Sequence, residues 1–453
     1  MKTGNSVSIW DLFLSAILLL ITANAQASLQ SSFKADGLGF VSENFSNTPS
    51  SSFSLVGVNL RSVHSENDFL KVNVSGAYAV GYPTMSFMNI KEFFINTKFE
   101  SSGEIPSQIL FGRRLHLWSD ADQEWNLGSF QPQFRWNPVN PSQQGLTGLF
   151  WQMKSSSWGF LVFGSPVFIP DQGASYELKN GQFQNTSPWF KNPPQNLHFY
   201  GENLPIEYDV QAPPLSDIVY QQSYGFQFEI QGNLGFYSRL SGQYRPSNQM
   251  ALGYQANVIS AVSVQVEVQP KTYYENVVGL DFGFKNNNHH AYLSLIQNRP
   301  QDVDFATDFT KPIIKESNII ATGYSYQTHL QKIDLNTKVS YLKIIGEDVK
   351  DQGGDASEAR GSLSWKYLYT EAARASLGAK YFATKNLSLT SELGWTQGIS
   401  TQYKQLDFSN RIDFRGPWSI NLDLYFTSSE DEKSPTFVFK DLDQVWLGAG
   451  YEF

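Results

Sequence analysis

The stretch Leu442-Asp-Gln-Val-Trp-Leu-Gly-Ala-Gly-Tyr-Glu-Phe453 decides how the rest of this chain is read. Counting back in twos from Phe453 gives Tyr451, Ala449, Leu447 and Val445, an apolar file. Between them lie Glu452, Gly450, Gly448, Trp446 and Gln444. A strand sends successive side chains to opposite faces, so one face here is apolar and the other small or polar. A stretch of this length can cross a bilayer, which takes about 9–11 tilted residues.

The same two-residue period runs through much of the chain. Leu70, Val72, Val74, Tyr78 and Val80 share one file, and Lys71, Asn73 and Ser75 the other. Tyr224, Phe226, Phe228 and Ile230 alternate with Gly225, Gln227 and Glu229, and Val262, Val264, Val266 and Val268 with Ser263, Gln265 and Glu267. Leu387, Leu389, Leu393 and Trp395 form another file, Leu406, Phe408, Ile412 and Phe414 a third, and Trp418 to Phe426 a fourth. These runs are nearer ten residues than the five or six usual in a soluble sandwich. Their polar files hold Gly, Ser, Asn, Gln and isolated charges, as a crowded aqueous lumen requires, and aromatics sit at the ends of the apolar files. The pattern predicts an all-β fold, an antiparallel transmembrane β-barrel of about 16–18 strands.

Phe453 preceded by Tyr451 resembles the C-terminal strand signal of Gram-negative outer-membrane β-barrel proteins of the porin type. The resemblance implies residence among outer-membrane lipids and lipopolysaccharide, and recognition of Leu442–Phe453 by the barrel assembly machinery. It also implies that the C-terminal end faces the periplasm. Thr427 to Asp441 and Gln397 to Lys404 are then external, while Arg415-Gly416-Pro417 and Thr384-Lys385-Asn386 are periplasmic turns. Continued upstream, this count makes the long acidic stretch Gly346 to Glu358 periplasmic, although its length and charge read as external. A homo-oligomer is compatible with the same resemblance.

Residues 1–27 read as a signal peptide: Lys2, an apolar stretch from Leu12 to Ile21, and the small-x-small site Ala25-Gln26-Ala27. Downstream there is no long apolar run, and the mean hydropathy is −0.32, which excludes a helical membrane protein but not a barrel. The chain has no Cys, so disulfides and thiol chemistry are excluded. A net charge of −9 argues against nucleic acid as a partner. No cofactor is implied.

Residues 28–52, rich in Ser and Asn, read as a lead-in to a barrel spanning 53–453. Two stretches break the alternation, 119–144 and 166–222, rich in Pro, Asn, Gln and aromatics. Insertions this long are loops with a function, here a constriction in the lumen or a cap over its mouth.

Candidate sites follow from that layout. The inward charges of the clearer strands nearly balance, so opposed charges line a water-filled pore for passive diffusion of small hydrophilic solutes. The lining residues are Glu229, Arg239, Arg245, Glu267, Asp407, Arg411, Asp413 and Arg415. Trp118, Trp125, Trp136 and Trp189 are either a stacking platform for sugars or packing for the loops, and packing is the commoner use of such rings. Asp120-Ala121-Asp122-Gln123-Glu124 lacks the glycine of a calcium loop, and no metal site is expected. No histidine sits in a nucleophile motif, so an enzyme is not expected; one would have to use His64, His116, His198, His289, His290 or His329, with His116 and His198 the leading candidates. The rival readings are a closed barrel for adhesion and a sugar-specific channel.

Overall fold

A computed structural model of the chain describes residues 29–41, 52–62, 69–99, 106–173, 177–184, 187, 189, 193–199, 201–260, 263–310, 314–346, 366–384, 387–399, 403–414, 417–429 and 443–453. The expected signal peptide lies outside these residues. Eighteen strands form one sheet. In chain order they are β1 (Leu29–Phe40), β2 (Ser52–Ser62), β3 (Leu70–Val80), β4 (Phe87–Phe99), β5 (Ser107–Arg114) and β6 (Leu146–Lys154). Next come β7 (Trp158–Ser165), β8 (Ser223–Gln231), β9 (Phe236–Pro246), β10 (Tyr274–Lys285), β11 (His289–Pro300) and β12 (Ser317–Leu330). The last six are β13 (Ile333–Ile345), β14 (Glu371–Thr384), β15 (Leu387–Gly398), β16 (Tyr403–Phe414), β17 (Trp418–Ser429) and β18 (Gln444–Glu452). Each pairs antiparallel with the next, and β1 pairs with β18 from Ser32↔Glu452 to Phe40↔Gln444. The sheet is therefore a closed barrel, within the strand number expected.

Closure explains why so polar a chain forms strands throughout. In hydrocarbon every backbone N–H and C=O needs a partner, and only a ring of strands leaves no open edge. The alternation then decides what faces out. Tyr224, Phe226, Phe228 and Ile230 on β8, Leu389, Leu393 and Trp395 on β15, and Trp418 and Ile420 on β17 are all exposed on the outside. In β18 Leu447 is 59% exposed, while Gly448 and Gly450 turn inward. At Gly448 a Cβ would lie 1.9 Å from the Asp36 carboxylate of β1, so a larger residue there needs the Asp36 side chain to move. Aromatics mark both rims of the apolar band. Trp418, Tyr451 and Phe453 meet edge to face at 4.8 Å centroid spacings at one end, and Tyr224, Tyr244 and Tyr274 lie 4.9–5.2 Å apart at the other. This is the architecture of an outer-membrane barrel.

The two ends differ. The connections 232–235, 286–288 and 331–332 are short turns at the end that carries Phe453. The connections 115–145, 166–222 and 247–273 are long and lie at the opposite end. Three expectations are corrected here. Residues 29–40 are not a lead-in but β1: its outward file is Phe33, Ala35, Gly37 and Gly39, too small to read as a greasy face. The Val262–Val268 alternation is not a barrel strand. Ser263–Lys271 pairs with Ala251–Ser260 and with Glu202–Val210 in a separate four-stranded sheet at the loop end. The count that put the stretch from Gly346 on the periplasmic side is corrected, because β13 ends at Ile345 at the loop end; residues 347–358 themselves lie outside the described residues. Lys366 lies between β13 and β14, outside the barrel strands.

Leu447→Arg puts a cation on the lipid face near mid-strand. Folding into lipid vesicles, followed by denaturant titration, should show a loss of about 2–4 kcal/mol.

Candidate functional site

The interior is dominated by the connection 115–145 between β5 and β6, which turns into the lumen instead of away from it. Its one helix, α1 (Asp120–Trp125), is six residues long and is ended by Asn126 in the left-handed conformation at φ 49°. Trp118, Ala121, Trp125, Leu127 and Phe130 are buried in it, packed with Phe150, Phe163, Val277 and Ile296 of the barrel wall. Trp118 stacks on Phe130 at 6.0 Å, an apolar spine inside a polar lumen.

Charge fixes the plug to the wall. Arg239 of β9 donates to Asp120 (3.1 Å), to Asp281 of β10 (3.0 Å) and to Glu229 of β8 (2.8 Å). Ser119 Oγ donates to Asp281 at 2.9 Å, the Asp120 amide donates to the same carboxylate, and Tyr237 Oη donates to Asp120 at 2.8 Å. One guanidinium thus satisfies three carboxylates where removing it leaves buried charge unpaired. Farther along, Arg374 of β14 lies 4.6 Å over the Trp125 ring and donates to the Glu124 carbonyl. Asn137 donates to Gln444 of β18 at 2.9 Å, and Asn140 to Tyr425 of β17 at 2.8 Å. The plug is therefore held from both sides of the barrel.

A second anchor is fully enclosed. Arg245 donates to the carbonyls of Gly128, Ser129 and Pro246 and pairs with Glu275 at 3.3 Å. Lys366 reaches the same carboxylate from the loop above. The connection 166–222 braces this assembly from the loop end. Asp171 accepts from the Gln133 amide, and Trp189 packs on Phe40, Phe53 and Trp136. Its strands Asn196–Phe199 and Glu202–Val210 join the loop-end sheet. Of the two stretches expected to constrict or cap, 119–144 packs against the inner wall of the barrel, and the described part of 166–222 packs on it through Asp171 and Trp189.

Two cavities flank the plug and reach the turn end. One, about 650 Å³, is lined by β3 to β9 and includes Lys71, Glu92, Arg114, Lys154 and Glu229. The other, about 830 Å³, is lined by β10 to β17 and includes Lys338, Arg374, Glu392 and Asp407. Leu117, Asp120, Lys285 and His290 line both, so the plug and its seam with the wall divide them.

The structure separates the sequence-predicted lining residues. Glu229 and Asp407 face the cavities, and Arg239 holds the plug at the edge of one. Arg245 is completely buried and lines neither. Arg411 pairs with Asp413 at 2.6 Å and Glu452 at 3.5 Å in the inward file toward the turn end. Glu267 lies on the loop-end sheet, outside the barrel, so it is no pore residue. Arg415 falls outside the described residues. Trp118, Trp136 and Trp189 are buried in packing, while Trp125 lies beneath Arg374 at the lining of the 830 Å³ cavity, so the four rings form no common platform. His116 is enclosed with its Nε2 2.8 Å from Gln227, and burial pushes its pKa down to about 3. His198 contacts Asn203 on the loop-end sheet. Asp120 stood out in sequence only as part of an acidic run, and nothing there joined it or Asp281 to Arg239, which is more than a hundred residues from Asp120.

No protein-family model and no curated protein matches the sequence. Among solved structures, the chain resembles Wzi, described as a carbohydrate-binding outer-membrane β-barrel involved in group 1 capsule assembly in Escherichia coli. The identity is 10% and the TM-score 0.44, covering 98% of this chain and 88% of that one. It also resembles a BenF-like porin from Pseudomonas fluorescens at 8% identity and TM-score 0.44 (94% and 98% covered). OccK10 from Pseudomonas aeruginosa gives 11% and 0.41 (94% and 99% covered). At these values the fold rests on the strand register, not on the likeness.

Arg239→Met should leave the strands protected but raise amide exchange over 116–131 sharply, at a cost to the plug of about 3–5 kcal/mol. A second effect is pH-dependent. Burial pushes the Asp122 carboxyl up to about 6, against the lowering pull of the Ser129 and Phe130 amides. An unfolded Asp titrates near about 4, so this group steadies the folded plug fully below that and loses the contribution as pH rises through about 6. Exchange of 126–131, corrected for intrinsic rate, should therefore quicken over this window, and Asp122→Asn should flatten the change.

Proposed function

We propose that this outer-membrane barrel is a channel for passive diffusion of small hydrophilic solutes, with its narrowest part set by the 115–145 plug. The observation that carries the reading is the pair of polar cavities, about 830 and 650 Å³, between an inward file of charges and the plug. Width and lining charge at such a constriction select the solute. The lining residues of this reading are Glu229 and Asp407 at the cavities and Arg411 and Asp413 toward the turn end. Arg239 and Arg245 serve it by fixing the plug.

On this reading the protein is a channel and not an enzyme; His116 sits beside Gln227 and His198 beside Asn203. The reading also includes lipid and lipopolysaccharide around the barrel and recognition of Leu442–Phe453 by the assembly machinery. A closed barrel used for surface interaction is the second reading, favoured by exposed Leu252, Tyr254 and Val258 on the loop-end sheet.

Purified protein in planar bilayers decides between them. The channel reading expects discrete unitary currents that rise severalfold when 118–141 is replaced by a short Gly-Ser linker. A silent bilayer with correctly folded protein, for both chains, would leave the closed barrel.

A further inference from the structure

The outer wall of the barrel carries a hollow that neither the lumen nor the plug accounts for. It is a groove of about 810 Å³ across β9 to β13, with Ala291 and Thr322 at its floor. Parity places it on the lipid side. Arg239, Asp281, Ser294, Ala321 and Lys338 face the plug from within the lumen. Successive side chains of a strand take opposite faces, so the other file of each strand looks out. Phe236, Phe282, Leu293, Tyr324 and Val339 belong to that file, and all are exposed.

Two cross-strand rows make the hollow. One runs Phe236, Phe284, Ala291, Tyr324 and Val339. The next, nearer the loop end, runs Phe282, Leu293, Thr322 and Tyr341. Each has a single small member, Ala291 on β11 in the first and Thr322 one strand farther in the second. The floor therefore steps obliquely across the wall, with larger side chains on both flanks. Thr322 Oγ1 donates to the Tyr292 carbonyl at 2.9 Å, so the hydroxyl is satisfied by the backbone and leaves no open donor in the groove.

The groove begins at the turn end. Phe236 and Phe284 stand next to the turns 232–235 and 286–288, whereas Tyr341 lies well along β13 from the turn at 331–332. A chain laid in it runs from headgroup level toward the middle of the membrane. Asn286 and Asn287, both exposed, put amide donors at that mouth. Water does not fill such a hollow, because it offers too few polar partners. A second barrel does not fill it either, since an outer wall is convex and this surface is concave. A flexible hydrocarbon chain does, and it gains dispersion contacts with fixed rings on two sides that an unfilled groove forfeits.

We propose that this groove binds one acyl chain of a membrane phospholipid, with the headgroup at the turn end beside Asn286 and Asn287. The turn end is the one expected to face the periplasm, and the outer-membrane leaflet on that side is phospholipid, whereas lipopolysaccharide occupies the other. The site depends on the barrel's place in the membrane and not on conductance, so a silent planar bilayer would leave it standing.

Native mass spectrometry tests it on protein folded into vesicles of phosphatidylethanolamine and phosphatidylglycerol and then washed into detergent. The wild type should retain one phospholipid per chain. Ala291→Phe with Thr322→Phe fills the floor from the lipid side without touching the plug. It should lower the retained fraction roughly tenfold, the equivalent of about 1.4 kcal/mol. Leu389→Phe with Leu393→Phe, on the outward face of β15, should leave retention within about twofold. Phosphatidylethanolamine with a diazirine on its acyl chain gives a readout that needs no variant: labelling of the wild type should concentrate on 282–293 and 322–341. Even labelling of all outward files, no retained lipid, or equal loss in both double variants would overturn the site. Lipopolysaccharide retained in place of phospholipid when both are supplied, or a dimer broken by the groove variant, would overturn the occupant.

Discussion

The constraint on which this structure depends is that a backbone in hydrocarbon has no water to pair with. Each of the eighteen strands is held by two neighbours, and the last bond set is the seam between β1 and β18. An unpaired backbone group in lipid costs several kcal/mol, so an open sheet of this size is not a stable alternative. Everything else follows from closure. Alternation becomes a division between lipid and water, polar residues gather inside, and the interior becomes wide enough to need filling.

How it is filled separates this barrel from an empty pipe. The plug combines an apolar spine, Trp118 on Phe130, with anchors that are almost all ionic or amide hydrogen bonds. The apolar part holds the loop's own shape. The polar part fixes its position, since a guanidinium shared by three carboxylates has few other arrangements of comparable energy. A loop attached on both sides of the ring also acts as a partition, which an insertion along one wall does not.

Much of the fold was legible because a barrel writes itself in a period of two. The outward files of β8, β15, β16, β17 and β18 read directly from sequence, as did the long interruptions. What failed did so for identifiable reasons. The β1 strand was missed because Ala35, Gly37 and Gly39 supply too little apolar surface to mark a face, and its inward Leu38 and Phe40 pack on loops. The strand at Ser263–Lys271 was misplaced because an amphipathic sheet above the membrane alternates as cleanly as one within it. The site was less legible than the fold. Glu229 and Asp407 could be assigned inward by parity alone. The joining of Asp120 to Arg239 and Asp281, or of Lys366 to Glu275, depends on how loops fold back, and no local pattern encodes that.

The absent side chain at Gly448 biases the register of the β1–β18 junction. Asp36 occupies the room that a Cβ there would fill. A slip of one residue would turn every greasy file toward water. A slip of two in the direction of Trp446 would keep the faces but drive the carboxylate into an indole. The fit of Asp36 to Gly448 therefore weighs against a two-residue slip toward Trp446, whereas a slip the other way would set the carboxylate beside a second glycine, Gly450.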